Sequence, residues 1–297
     1  MMRGIIAILI GLMLTSCFRL DDNLYNADNE ITEYLLDDYD GEQDFVLGSG
    51  YNIPDSLIHI FTISSSIPGE STYETIYAIY IGDQRTINTD TVIMYCHGNK
   101  WHMDYYWQRA KLMAHAGGKN RYGVLMIDYR GYGLSSGKPS EKGLYADVDA
   151  GLTWLKNKGL TNDKLVIYGF SMGTAPATEL SANPRSMEPS KLVLEAPFAS
   201  AGVMVQDATG LLMPSSFVTN LEIDNAEEIK KVNQPFFWLH GDKDLKNSIS
   251  THGQVVYNNY KGSYKQALIV KDADHSGVPT MVGYSNYCFE LNSFIER

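Results

Sequence analysis

From Thr91 onward the chain alternates short, continuously apolar runs with stretches of helical period, and this alternation restricts the fold more than any other feature. Thr91–Cys96, Gly123–Asp128, Leu165–Tyr168, Leu192–Glu195, Phe236–His240 and Ala267–Val270 read as strands. Between them Trp107–Ala116, Gly143–Lys156, Met172–Ser181, Ser250–Tyr257 and Tyr284–Ile295 read as helices. Strands that are apolar on both sides must be covered on both sides. The pattern therefore predicts an α/β protein with a mostly parallel central sheet and helices on both faces. Two β-branched, aromatic runs precede it, Leu57–Ile63 and Thr75–Ile81, with turn chemistry at Pro68-Gly69 between them. In such sheets ligands bind beyond the carboxyl ends of the strands. No internal repeat interrupts the pattern.

One motif sits where that geometry makes it meaningful. Gly169-Phe170-Ser171-Met172-Gly173 directly follows a predicted strand and opens a predicted helix. A sharp strand-to-helix turn holds a serine hydroxyl out above a sheet, and it needs small residues on either side because the two backbones approach closely. A serine hydroxyl is a poor nucleophile until a base takes its proton. An acid must then fix the tautomer of that base. Of the histidines downstream of Ser171, His240 ends a strand and reads as a turn former, and His252 reads as a helix-surface residue. His275 follows the last strand in a loop at the sheet's carboxyl end and is the expected base. The acid belongs in His240-Gly241-Asp242-Lys243-Asp244, which offers two carboxylates. Asp242 falls within the turn, and Asp244 is far enough on to face the histidine loop, so Asp244 is preferred. Asp274 adjoins the base and reads as solvent-facing.

Negative charge developing on a carbonyl oxygen needs two backbone N–H donors. Met172, after the serine, is one candidate. The other is Asn99, in the loop Cys96-His97-Gly98-Asn99-Lys100 after the first apolar strand, where His97 is expected to pin the loop by hydrogen bonds. Trp101, Tyr105, Tyr106 and Trp107 follow; walling of an acyl pocket and plain helix packing are both open for them.

Taken together, His97-Gly98-Asn99, Asp128-Tyr129-Arg130-Gly131-Tyr132-Gly133, Gly169-Phe170-Ser171-Met172-Gly173, His240-Gly241-Asp242-Lys243-Asp244 and His275 resemble the α/β-hydrolase superfamily. Within it they are similar to the serine aminopeptidase-like and lysophospholipase-like hydrolases, including the animal abhydrolase-domain proteins. The resemblance covers about residues 75–295. It implies the α/β-hydrolase fold with a Ser171–Asp244–His275 catalytic triad, and a structural role for the loop around Arg130. Thr174 follows the elbow where prolyl-oligopeptidase-like relatives usually carry another glycine, which weakens the peptidase reading. The 40 residues between Glu195 and Phe236 leave room for only a small cap, with short helices expected in Phe198–Leu212 and Asn225–Val232.

The N-terminus reads as an export signal. Arg3 precedes the apolar run Gly4–Leu14, which is shorter than the roughly 20 residues of a membrane-spanning helix. Leu14-Thr15-Ser16-Cys17 resembles the bacterial lipobox, making Cys17 the expected lipidation site. The expected organisation is a lipoprotein signal peptide over 1–17, a polar acidic tether over 18–50 and one hydrolase domain over 51–297. That places the enzyme at the cell envelope, held to a membrane by lipid and facing outside the cytoplasm. A net charge of −11 argues against a nucleic-acid partner. No HExxH string, paired CxxC or phosphate-cradling glycine loop suggests a metal or organic cofactor, so none is expected. Cys96 reads as a small core residue. The expected partner is a small acyl-bearing substrate, cleaved as an ester or thioester through an acyl-enzyme. Amide or peptide hydrolysis is the alternative within enzymes, and a non-catalytic surface-binding lipoprotein the alternative outside them.

Overall fold

The computed structural model describes residues 24–209 and 219–297. The predicted export segment and Cys17 lie outside them, as do residues 210–218 of the expected cap. Ten strands are described: β1 (Asn26–Ala27), β2 (Ile58–Ser65), β3 (Glu74–Ile81), β4 (Val92–Cys96), β5 (Lys100–Trp101), β6 (Gly123–Ile127), β7 (Leu165–Phe170), β8 (Lys191–Glu195), β9 (Phe236–Gly241) and β10 (Lys265–Val270). Eight of them form one sheet in the order β2-β3-β6-β4-β7-β8-β9-β10. β3 runs antiparallel to β2 and to β6, and every pairing from β6 to β10 is parallel.

The helices are α1 (Met103–Ala114), α2 (Glu141–Asn157), α3 (Thr174–Ala182), α4 (Ala201–Thr209), α5 (Asn225–Glu228), α6 (Gly253–Asn259), α7 (Val278–Val282) and α8 (Tyr284–Ile295). Each central strand divides its side chains between two apolar layers. Val92, Met94 and Cys96 of β4 join Leu144, Val148 and Leu152 of α2 on one face. Ile93 and Tyr95 join Trp107 of α1 and Leu291 of α8 on the other. Strand alternation on a doubly covered sheet produces this division, and it is why the strands read as unbroken apolar runs. Truncating a side chain such as Leu152, fully buried in this packing, costs about 2–5 kcal/mol. Met103–Ala114 is buried along its whole length, including Tyr105, Tyr106 and Trp107, so the aromatic cluster serves helix packing.

The sequence reading of 18–50 as a tether needs correction for its described part. Residues 24–50 lie against the domain. β1 pairs in parallel with β5, and Leu24, Phe45 and Leu47 are buried. Asp104 accepts the backbone N–H groups of Leu35 and Leu36 at 3.0 and 2.8 Å, and Gln108 accepts that of Leu47 at 3.1 Å. Tyr34 donates to Asp128 at 2.7 Å, and Lys111 forms an ion pair with Asp37. The arm carries little apolar periodicity because polar side chains of α1 and the β6 end hold it. The arm carries a 3-10 turn at Leu36–Asp38.

Candidate active site

The chain leaves β4 towards β6 on one side and later returns to β7 on the other, so the carboxyl ends of β4 and β7 flank the point where strand order reverses. Ser171 stands at the end of β7 with φ 51°. That left-handed conformation costs a non-glycine residue about 1–3 kcal/mol and aims the side chain out of the strand-to-helix turn. The turn's glycines have a steric reason. A Cβ on Gly173 would lie 2.0 Å from the Cys96 carbonyl oxygen, and one on Gly169 would lie 2.5 Å from the Gly173 carbonyl oxygen. The elbow is thereby pressed against the end of β4, which carries the His97–Asn99 loop.

Three residues from three strand ends form one hydrogen-bonded chain. Ser171 Oγ lies 2.8 Å from His275 Nε2, and His275 Nδ1 lies 2.8 Å from Asp244 Oδ2. Asp244 Oδ1 accepts the backbone N–H groups of Lys246 and Asn247, each at 2.9 Å. Burial alone would raise the pKa of this carboxyl; hydrogen bonds from His240 and His275 outweigh it and hold the group well below the ordinary carboxylate range. Asp244 is therefore a permanent acceptor that keeps the proton of His275 on Nδ1 and leaves Nε2 bare towards the serine. The structure separates the two carboxylates that the sequence offered. Asp242 is exposed and accepts the Asp272 N–H at 2.6 Å, a turn contact; Asp244 reaches the imidazole. Asp274 is exposed, as expected.

The neighbouring loop is held from both sides. His97 Nδ1 donates to the Gly98 carbonyl at 2.7 Å, the pinning expected from sequence. That carbonyl shares a trans peptide with the Asn99 N–H, so fixing one fixes the opposite direction of the other. The Asn99 carbonyl accepts Asn26 N–H at 3.1 Å and the Tyr132 hydroxyl at 3.2 Å, while its carboxamide donates to the Leu24 carbonyl at 2.9 Å. The N-terminal arm thus clamps the residue expected to supply one oxyanion donor. Met172 is the middle residue of the 3-10 turn Ser171–Gly173, with its side chain buried under Tyr132.

Two features escaped the sequence reading. His240 and His252 are fully buried. His240 contacts Asp244 at 3.1 Å, and His252 stands at the start of α6 and accepts the Ala199 N–H at 3.1 Å. A strand-end or helix-start histidine carries no local pattern that distinguishes these sites from surface positions. The second feature is Arg109. Its guanidinium is buried beneath the site and donates to Glu195 at 3.0 and 3.1 Å, to Asp44 of the arm at 2.9 Å and to the Ser276 carbonyl at 2.7 Å. It lies 4.1 Å above the Phe170 ring, which packs against His275. One cation thus joins the elbow, the histidine loop and the arm. Its helix periodicity gave no hint, because every face of α1 is covered.

Comparison with known proteins agrees with this architecture. The family model for serine aminopeptidase, S33, matches residues 87–225. The α/β-hydrolase domain-containing protein 17B of Xenopus tropicalis is 30% identical over 212 residues, which span 71% of this chain and 68% of that protein. The human α/β-hydrolase domain-containing protein 17C is 29% identical over 207 residues, 69% of this chain and 58% of that protein. Among solved structures, a Pyrococcus furiosus esterase superposes with a TM-score of 0.65 at 17% identity, covering 92% of this chain and 98% of that one, a likeness of fold.

Proposed function

Because the chain belongs to the α/β-hydrolase superfamily, we propose that it is a serine hydrolase that cleaves an acyl ester or thioester through an acyl-enzyme. The observation that carries this reading is the continuous hydrogen-bonded chain Ser171–His275–Asp244 at the strand ends. Ser171 Oγ attacks the acyl carbon while its proton passes to His275 Nε2. The carbonyl π electrons move to oxygen, and the resulting oxyanion is met by the N–H groups of Met172 and Asn99. Collapse of the tetrahedral intermediate expels the alkoxide or thiolate, which takes the proton from His275. Water then attacks the acyl-enzyme with the same base, releasing the acid and restoring Ser171. Asp244 stays ionised throughout and stabilises the imidazolium.

The same machinery cleaves amides, a reading that the serine aminopeptidase match favours. Hydrolysis of parallel ester, thioester and aminoacyl-amide series of graded chain length separates the two. The account expects turnover of at least one ester or thioester by the native chain and loss of it in Ser171→Ala. The same ester rates in both proteins would refute it. We further propose that Cys17 is lipidated, so that the mature chain begins there and the enzyme sits on a membrane outside the cytoplasm. Two or more acyl chains anchor a protein stably where one does not. Leu24, whose carbonyl accepts the Asn99 carboxamide, stands seven positions after that cysteine in the sequence.

A further inference from the structure

The contacts of Asp244 extend beyond His275. A second imidazole faces the same carboxylate oxygen: His240 Nε2 lies 3.1 Å from Asp244 Oδ2 and 2.7 Å from the Asn247 carbonyl oxygen. Both are acceptors, so Nε2 must carry the hydrogen. The other ring nitrogen gives the same answer independently. The indole Nε1 of Trp238, which can only donate, lies 3.0 Å from His240 Nδ1, so Nδ1 must be bare. His240 is fully buried, and the start of α6 closes over it. A Cβ on Gly253 would come within 2.4 Å of Nδ1 and 2.7 Å of the Trp238 ring, which explains the glycine there.

We infer that His240 is a positioning residue for the reaction, with Trp238 fixing its tautomer so that the imidazoles of His240 and His275 grip one oxygen of Asp244 from two sides. The inference rests on the reading of Ser171, His275 and Asp244 given above. Oδ1 is tied by two backbone N–H groups, so the carboxylate's remaining freedom is rotation that swings Oδ2 away from His275. The His240 N–H opposes that swing. Asn247 anchors the assembly, since its carboxamide donates to the Ala196 carbonyl at 2.8 Å while its own carbonyl takes the shared His240 hydrogen. Without His240, a lone pair on a buried carboxylate is left unmatched, and the orientation of His275 loosens with it.

The test compares His240→Leu, which keeps bulk and loses the N–H, with His240→Gln, whose amide N–H reaches the Nε2 position. Readouts are the rate of fluorophosphonate labelling and the kcat and KM of the best ester. The expected result is labelling and kcat about 10- to 100-fold slower in His240→Leu with KM unchanged, and rates within about threefold of native in His240→Gln. Native rates in His240→Leu, or equal losses in both variants, would overturn the inference, the second because it would assign the effect to packing. Imidazole nitrogen NMR of the unsubstituted protein reads the proton directly, whether or not His240→Leu folds. A protonated Nε2 with a bare Nδ1 is expected, and the opposite tautomer overturns the inference. A native chain that labels no faster than Ser171→Ala would instead defeat the proposed function, leaving the NMR result standing.

Discussion

Asp244→Asn is the substitution for which the structure dictates both outcome and reason. The amide that replaces the carboxylate has one oxygen and one NH2 group. Two backbone N–H groups, of Lys246 and Asn247, point at Oδ1 from 2.9 Å, so the amide oxygen must take that place. The NH2 is then forced into the position of Oδ2, where it meets the N–H of His275 on one side and of His240 on the other. Relief requires His275 to move its hydrogen to Nε2, and that is the tautomer that cannot accept the serine proton. His240 cannot make the matching change, because the Trp238 indole occupies its other nitrogen. The expected loss in kcat is on the order of 10³–10⁴-fold, about 4–5 kcal/mol of transition-state stabilisation. Asp242→Asn keeps the oxygen that accepts Asp272 N–H and should retain activity within a few-fold. Steady-state hydrolysis of one activated ester by both variants, with thermal melts as folding control, decides the matter. A greater loss in Asp242→Asn, or a mild one in Asp244→Asn, would refute the reasoning. The same pair carries a pH signature. A carboxyl held below its ordinary pKa contributes stability that is fully present above its unfolded value, about 3.9, and lost as pH falls from there through the folded one. The stability advantage of the native chain over Asp244→Asn should therefore shrink below about pH 4, as followed by urea unfolding between pH 3 and 7.

Further predictions follow from the same contacts. Arg109→Met leaves the fully buried Glu195 without its cation, and should lower unfolding stability by about 3–5 kcal/mol and slow labelling of Ser171; an unchanged urea midpoint would contradict this. A chain beginning at residue 48 removes the Leu35 and Leu36 N–H groups from Asp104, Asp37 from Lys111 and Asp44 from Arg109, and should melt at least about 6 °C lower; a melt within about 2 °C of native would show that the arm is dispensable. Cys17→Ala should stay uncleaved or leave the lipid fraction, and processing and sedimentation like the native chain would rule out the lipobox.

The parts of the site legible in the sequence are those with a local signature. The elbow glycines are required by clashes within a few residues, and Ser171 follows a strand that the apolar run announces. The order of the later loops then picks out Asp244 and His275. Illegible parts depend on partners distant in sequence. The arm from Leu24 to Leu47 looks like a tether because its stability comes from Asp104, Gln108 and Asp128, which reveal nothing in their own segments. Tyr106 and Trp107 read equally as pocket wall or core until α1 is seen covered on every side. Strand ends shifted where the edge strand β10 carries polar side chains, beginning at Lys265 while its apolar run begins at Ala267. The pairing of Arg109 with Glu195 spans 86 positions, beyond the reach of any local pattern.

The central claim is that Ser171 is the nucleophile, activated by His275. Its most direct measurement is mass-spectrometric mapping of the adduct formed with a fluorophosphonate under native conditions. The account predicts a single stoichiometric adduct on the peptide containing Ser171, lost on denaturation before labelling and in His275→Ala. An adduct on another residue, or labelling of Ser171 that survives His275→Ala at the native rate, would contradict it.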